Sequence, residues 1–139
     1  MAALTADFIT MNKTSEETET GRGTVPGIIR KYYGAYESKD RSVLDGLLTN
    51  DFTFTSPNGD DHIDLQKYFE KCWTEAVRIH SFDLEKVIWN GDDAFVRYRC
   101  VATSGRSFRN AEYFKFENGK IKEIEVFFGA GQGFPSNED

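Results

Sequence analysis

The chain is poor in cysteine, proline and histidine, with two, three and two of them in 139 residues. Two cysteines cannot build the disulfide framework of a small secreted domain. Cys72 falls on the apolar side of a helical pattern and Cys100 within a strand pattern, so both read as buried free thiols. No Cys or His spacing resembles a zinc site. The run Asp60-Asp61-His62 is too short to supply a metal shell, so no metal is expected. No Gly-rich phosphate loop opens a helix, and no cofactor is implied. Basic residues are outnumbered, 17 against 23, and form no run. A net charge of −6 argues against binding nucleic acid or an anionic membrane through charge. No apolar run is long enough to span a bilayer. The N-terminus shows no basic segment followed by an apolar core, so no signal peptide is expected and the cytoplasm is the default location.

Aromatic residues are abundant: twelve Phe, six Tyr and two Trp. Such rings bury large areas, enough for one domain of this length to form a real core. Residues 1–23 are polar and Thr/Glu-rich and read as a flexible leader, and residues 132–139 as a flexible tail, with the folded domain over 24–131. Thr24 and Pro26 suit the start of a helix whose inner side carries Ile28, Ile29, Tyr32, Tyr33 and Tyr36. Asp40 caps a shorter helix with Val43, Leu44, Leu47 and Leu48 inward. Phe52, Phe54 and Ser56 share one face of a strand that Pro57 stops. Leu65, Tyr68, Phe69, Cys72, Trp73 and Ala76 form the stripe of a third helix. Four strands follow, Arg78–Trp89, Ala94–Thr103, Ser107–Phe116 and Lys120–Phe128, joined by Asn90-Gly91-Asp92, Ser104-Gly105 and Asn118-Gly119 turns. This order predicts an α+β fold: a cone-shaped, curved antiparallel sheet with three N-terminal helices at its wide end.

The most informative stretch is Asp51–Trp73, DFTFTSPNGDDHIDLQKYFEKCW. A strand ending in Ser-Pro, an Asp-rich turn with one His, and an aromatic-faced helix place polar groups at the mouth of an apolar cavity. His62, oriented by Asp61, is a candidate general base because its pKa sits near neutrality. The same residues also read as turn and solvated loop positions. Tyr32 and Glu112 read either as an acid pair at the cavity floor, with Glu112 neutralised by burial, or as core and an ion pair to Arg97 or Arg99. Tyr36, Phe54, Ser56, Trp73, Arg97 and Phe114 are the candidate ligand contacts. Tyr98, Tyr113 and Phe127 are aromatics for the outer face of the sheet.

Three segments carry a family resemblance: YYGAYESKD (Tyr32–Asp40), the Asp51–Trp73 stretch, and FKFENGKIKEIEVFFG (Phe114–Gly129). With them the chain resembles the nuclear-transport-factor-2-like superfamily, in particular its SnoaL-like branch, which also includes ketosteroid isomerase, scytalone dehydratase and limonene epoxide hydrolase. The resemblance implies a pocket for a small apolar or aromatic ligand, and a homodimer through the outer face of the sheet where Tyr98, Tyr113 and Phe127 are expected. It further implies an isomerase, cyclase, dehydratase or hydrolase without cofactor, or a non-catalytic ligand-binding or dimerisation module. By similarity to ketosteroid isomerase, Tyr32 stands where the catalytic tyrosine would be and Glu112 where the protonated acid would be. Ser56 stands where the base carboxylate would be. A serine hydroxyl cannot take a proton from carbon without a base of its own.

Overall fold

The computed structural model describes residues 24–129. The expected leader and the expected tail both lie outside the described residues. Helix α1 spans Val25–Ser38. Thr24 caps it, its hydroxyl accepting from the Gly27 N–H at 3.0 Å, and Lys39 ends it in the left-handed region at φ 62°. The Lys39 ammonium donates to the Ile79 carbonyl at 2.7 Å, tying the end of α1 to the sheet. Helix α2 spans Arg41–Leu47 and is capped by Asp40; helix α3 spans Leu65–Cys72 and is capped by Asp64. The predicted third helix therefore ends earlier than its stripe, and Trp73–Arg78 continues as a tighter 3₁₀ segment.

Six strands follow the chain as β1 (Leu48–Ser56), β2 (Asp60–Asp64), β3 (Ile79–Asn90), β4 (Asp93–Ala102), β5 (Ser107–Glu117) and β6 (Lys120–Phe128). They form one sheet in the order β2-β1-β6-β5-β4-β3. The four-strand meander is as expected. The sheet as a whole is mixed rather than antiparallel, because β1 joins β6 in parallel. Residues Asp60–Asp64, read from the sequence as a turn, form an edge strand antiparallel to β1. Register shifts interrupt β1, β3 and the β5–β6 pair, and such bulges bend strands. The result is a curved, unclosed sheet around the helices.

Alternation decides what faces inward. On β4, Ala94, Val96, Tyr98, Cys100 and Ala102 are buried, while Phe95, Arg97 and Arg99 lie on the other face. On β5 the buried set is Phe108, Asn110, Glu112, Phe114 and Phe116. Tyr98, expected on the outer face, is therefore inside with 1% exposure. Tyr113 and Phe127 do lie on the outer side with Phe95. Cys72 and Cys100 are free thiols, each pushed up to about 12 by burial.

The core is continuous from α1 across β1, β6 and β5, and Ile124 on β6 is fully buried within it. Truncation to Ile124→Ala removes methylene contacts that the surrounding strands cannot reclaim. It should cost about 3–4 kcal/mol of stability, read as a lower urea midpoint at unchanged slope.

Candidate functional site

The inner face of the sheet and the facing sides of α1 and α3 enclose a cavity of about 380 Å³. That lies within the roughly 300–1,000 Å³ range of small-molecule sites. Aromatic rings form most of its wall: Tyr32, Tyr33 and Tyr36 from α1, Phe54 from β1, Tyr68 from α3, Phe82 from β3 and Tyr98 from β4. The helix puts three tyrosines here because positions 32, 33 and 36 share one side of α1. Two polar clusters interrupt this wall.

The deep cluster centres on Glu112, which is 3% exposed. Its cross-strand neighbours are Val96 on β4 and Val126 on β6, both buried, so apolar side chains flank the carboxyl. The Tyr33 hydroxyl donates to Glu112 Oε1. Burial pushes the Glu112 carboxyl up to about 7, against the smaller opposing pull of the Tyr33 hydrogen bond. Near neutral pH, Glu112 is therefore present in both forms, and the protonated form is a hydrogen-bond donor.

The expected partner of Glu112 was Tyr32. Consecutive helical residues point about 100° apart, and here Tyr33 turns to β5 while Tyr32 turns to α3. The Tyr32 hydroxyl hydrogen-bonds the Tyr68 hydroxyl at 2.6 Å, and the Tyr36 hydroxyl bonds the same Tyr68 oxygen at 2.5 Å. Burial lifts all four phenols, Tyr32, Tyr33, Tyr36 and Tyr68, above the usual range, which keeps them neutral donors.

The shallower cluster is Ser56, Asp60 and Lys71. The Ser56 hydroxyl donates to Asp60 Oδ2 at 2.6 Å, and the Lys71 ammonium pairs with Asp60 Oδ1. The Asn58 N–H donates to Ser56 Oγ at 3.1 Å. Asp60 is 5% exposed, whereas about half of the Lys71 side chain is open to solvent. Hydrogen bonding to Asp60 raises the Lys71 pKa, which keeps the ammonium charged. Glu75 also reaches the wall.

Of the residues singled out from the sequence, Tyr32, Tyr36, Phe54, Ser56 and Glu112 meet in this cavity. Trp73 and Phe114 stand behind it: the Trp73 ring packs on Tyr36, with centroids 5.0 Å apart, and the Phe114 ring on Tyr32 at 5.5 Å. Arg97 lies on the outer face of β4, with its Nε 3.3 Å from Glu85 Oε1, so it pairs with neither Glu112 nor the cavity. Asp61 and His62 face solvent. They hydrogen-bond each other at 2.7 Å, with side chains 85% and 60% exposed, and that bond raises the His62 pKa.

A bulge explains their position. Ser56 pairs with Asp60, yet Phe54 pairs with Ile63, so β2 holds one residue more than β1 over this span. The extra residue is accommodated with His62 in the left-handed region at φ 53°. Regular pairing from Ser56 and Asp60 would have set His62 opposite Phe54. Sequence reasoning did not assign Tyr33, Asp60, Tyr68, Lys71 or Tyr98 to the site. Tyr33 and Tyr68 were legible as inward positions of their helices; Asp60 depends on the pairing of β2 with β1, in a stretch that reads from the sequence as a turn. Among the described residues, no group of three or more His, Cys, Asp or Glu is placed to hold a metal, and no helix is long and apolar enough to cross a membrane.

Residues 29–124 match the family model of the SnoaL-like domain. No curated protein matches the chain. Solved structures share its architecture at low identity. An NTF2-like protein of unknown function from Cytophaga hutchinsonii aligns over 83% of this chain and 96% of its own, with 16% identity and a TM-score of 0.63. A Jannaschia protein, whose name proposes a SnoaL-like polyketide cyclase, aligns over 75% and 84%, with 15% identity and a TM-score of 0.63. AclR from Streptomyces galilaeus, whose name proposes a hydroxylase, aligns over 75% and 74%, with 14% identity and the same TM-score of 0.63. Likeness at this identity speaks for the fold, which hosts many activities.

The Glu112 carboxyl makes stability depend on pH. Its folded value of about 7 exceeds the ordinary 4.5, so the folded chain holds a proton that the unfolded chain releases. The stabilisation is complete below about pH 4.5 and is lost as pH rises to about 7, amounting to about 3 kcal/mol. Denaturant titrations across that window should show the wild type falling relative to Glu112→Gln, which cannot titrate there. Parallel curves for the two proteins would contradict the assignment.

Proposed function

We propose that this chain, which belongs to the SnoaL-like domain family, binds a small apolar or aromatic carbonyl compound in its cavity and moves a proton on it. The observation that carries the reading is Glu112: a buried carboxyl, poised near neutrality, bonded to Tyr33 and exposed only to the cavity side of the sheet. In its protonated form it donates to a ligand oxygen and stabilises negative charge developing there, in a site where water does not screen the interaction. The aromatic wall supplies the apolar contact. Asp61 and His62 face away; besides Glu112 the wall carries the carboxylates of Asp60 and Glu75, and Asp60 is the more buried of the two. In this reading Asp60 accepts a proton from the carbon beside the carbonyl, while the carbonyl oxygen takes its charge to Glu112. Isomerase, cyclase and dehydratase reactions all pass through such a step.

A specific observation supports a second reading. Ser56 replaces the base carboxylate, and both oxygens of Asp60 are already engaged, one by Lys71 and the other by Ser56. A site arranged this way binds a ring ketone without turning it over.

One experiment separates the two. In D₂O, the α-hydrogens of 1-tetralone exchange slowly and the exchange is visible by NMR. The catalytic reading expects the wild type to accelerate it and Asp60→Asn to lose about a hundredfold or more of that acceleration. Binding of 1-tetralone without faster exchange would establish the non-catalytic module instead.

The outer sheet face supports association of two copies. Ile88, Phe95 and Tyr113 stand side by side across β3, β4 and β5, and Ile88, Phe95 and Phe127 are among the exposed large hydrophobics. A homodimer through this face buries them. Phe95→Asp should shift the sedimentation velocity profile from dimer to monomer without changing the circular dichroism spectrum; a wild type that sediments as a monomer would rule the dimer out.

A further inference from the structure

Tyr98 was expected outside and is buried inside, and its hydroxyl has a defined polarity. The Asn110 side chain reaches it from β5: Nδ2 donates to the Tyr98 hydroxyl oxygen at 3.1 Å. Which end of an Asn amide faces which neighbour is settled by the hydrogen bonds around it. Here the other end, Oδ1, receives the Gly129 N–H at 3.3 Å, an N–H shared with the Arg109 carbonyl at 3.2 Å. A backbone N–H only donates, so Oδ1 must face Gly129 and Nδ2 must face Tyr98. The Tyr98 oxygen is thus already an acceptor. Its own proton has to go elsewhere, and among the described residues the Tyr98 hydroxyl makes no second hydrogen bond.

The register says where that proton goes. Tyr98 pairs with Asn110, and Val96 with Glu112, on adjoining antiparallel strands. Tyr98 and Glu112 are therefore diagonal neighbours on one inward face, close enough for long side chains to share a partner. Both line the cavity, and burial keeps the Tyr98 phenol neutral. A buried hydroxyl proton without an acceptor is costly, and a ligand oxygen in the cavity beside Glu112 would accept it.

We infer that Tyr98 is a specificity-determining donor to the ligand oxygen, with Asn110 as the residue that positions its proton. This rests on the reading that a carbonyl compound occupies the cavity, and it adds a donor independent of the Glu112 proton. The ligand class narrows accordingly to compounds whose oxygen accepts two hydrogen bonds and gains negative charge, a ketone or an enolate rather than a hydrocarbon.

The test uses 1-tetralone labelled with ¹³C at the carbonyl, and tetralin as the analogue without oxygen. Affinities come from calorimetry and donor strength from the infrared carbonyl band of the bound ketone. Tyr98→Phe should weaken 1-tetralone about tenfold and leave tetralin unchanged. The carbonyl band should move to higher wavenumber as one donor is lost. Asn110→Asp, compared with the wild type at about pH 6 where Glu112 keeps its proton, offers Tyr98 an acceptor oxygen in place of the amide N–H, draws its proton away from the ligand, and should move the band in the same direction. A merely structural role for Asn110 would leave the band in place. An unshifted band in either folded variant, with 1-tetralone bound, overturns the inference and leaves the carbonyl reading standing. Failure of the wild type to bind 1-tetralone overturns both.

Discussion

Three phenol hydroxyls hold the two helices that close the cavity. Tyr32 and Tyr36 project from α1 and Tyr68 from α3, and the two hydrogen bonds through Tyr68 join them. Each of these hydroxyls is buried, and each would be costly to leave unpaired. The rings also contact one another and the sheet: Tyr32 on Phe114, and Tyr68 on Phe52 and Phe54. The trio thus fixes the spacing between helices and sheet without filling it. An all-leucine arrangement at these positions would satisfy burial equally well, but it would place no dipoles toward the space left open.

Two acidic groups of similar chemistry meet different surroundings. Glu112 sits between Val96 and Val126 with a single phenol for company, and loss of solvation favours its neutral form. Asp60 is nearly as buried, yet an ammonium and a hydroxyl satisfy its charge. A donor and a paired carboxylate therefore share one cavity. Separation of an acid from a base by environment, rather than by residue type, is the usual route to proton transfer near neutral pH.

Strand and helix positions were readable from periodicity because inward faces recur every second or every third and fourth residue. The four-strand meander and the inward placement of Phe54, Ser56 and Tyr36 follow from that; residue type marks the Thr24 and Asp40 caps, and the family resemblance pointed to Glu112. What could not be read were choices between neighbours and between strands. Tyr32 and Tyr33 are equally inward on α1, and only the helix's rotation over β5 decides which meets Glu112. The parallel pairing of β1 with β6 joins segments more than sixty positions apart, with nothing local to announce it. Tyr98 was misplaced because the aromatic character of a residue says nothing about its face; its alternation with Arg97 and Arg99 does.

The one-residue excess in β2 has a wider consequence. It selects which side chain the edge strand sets beside Phe54: Ile63 takes that place and the imidazole is carried to the solvent side. An unbulged ladder run on from Ser56 and Asp60 would instead swing His62 above Phe54, adding a titrating ring beside the Asp60–Lys71 pair. Register at this edge, and not wall composition alone, thus decides which groups meet a molecule at the entrance of the curved sheet.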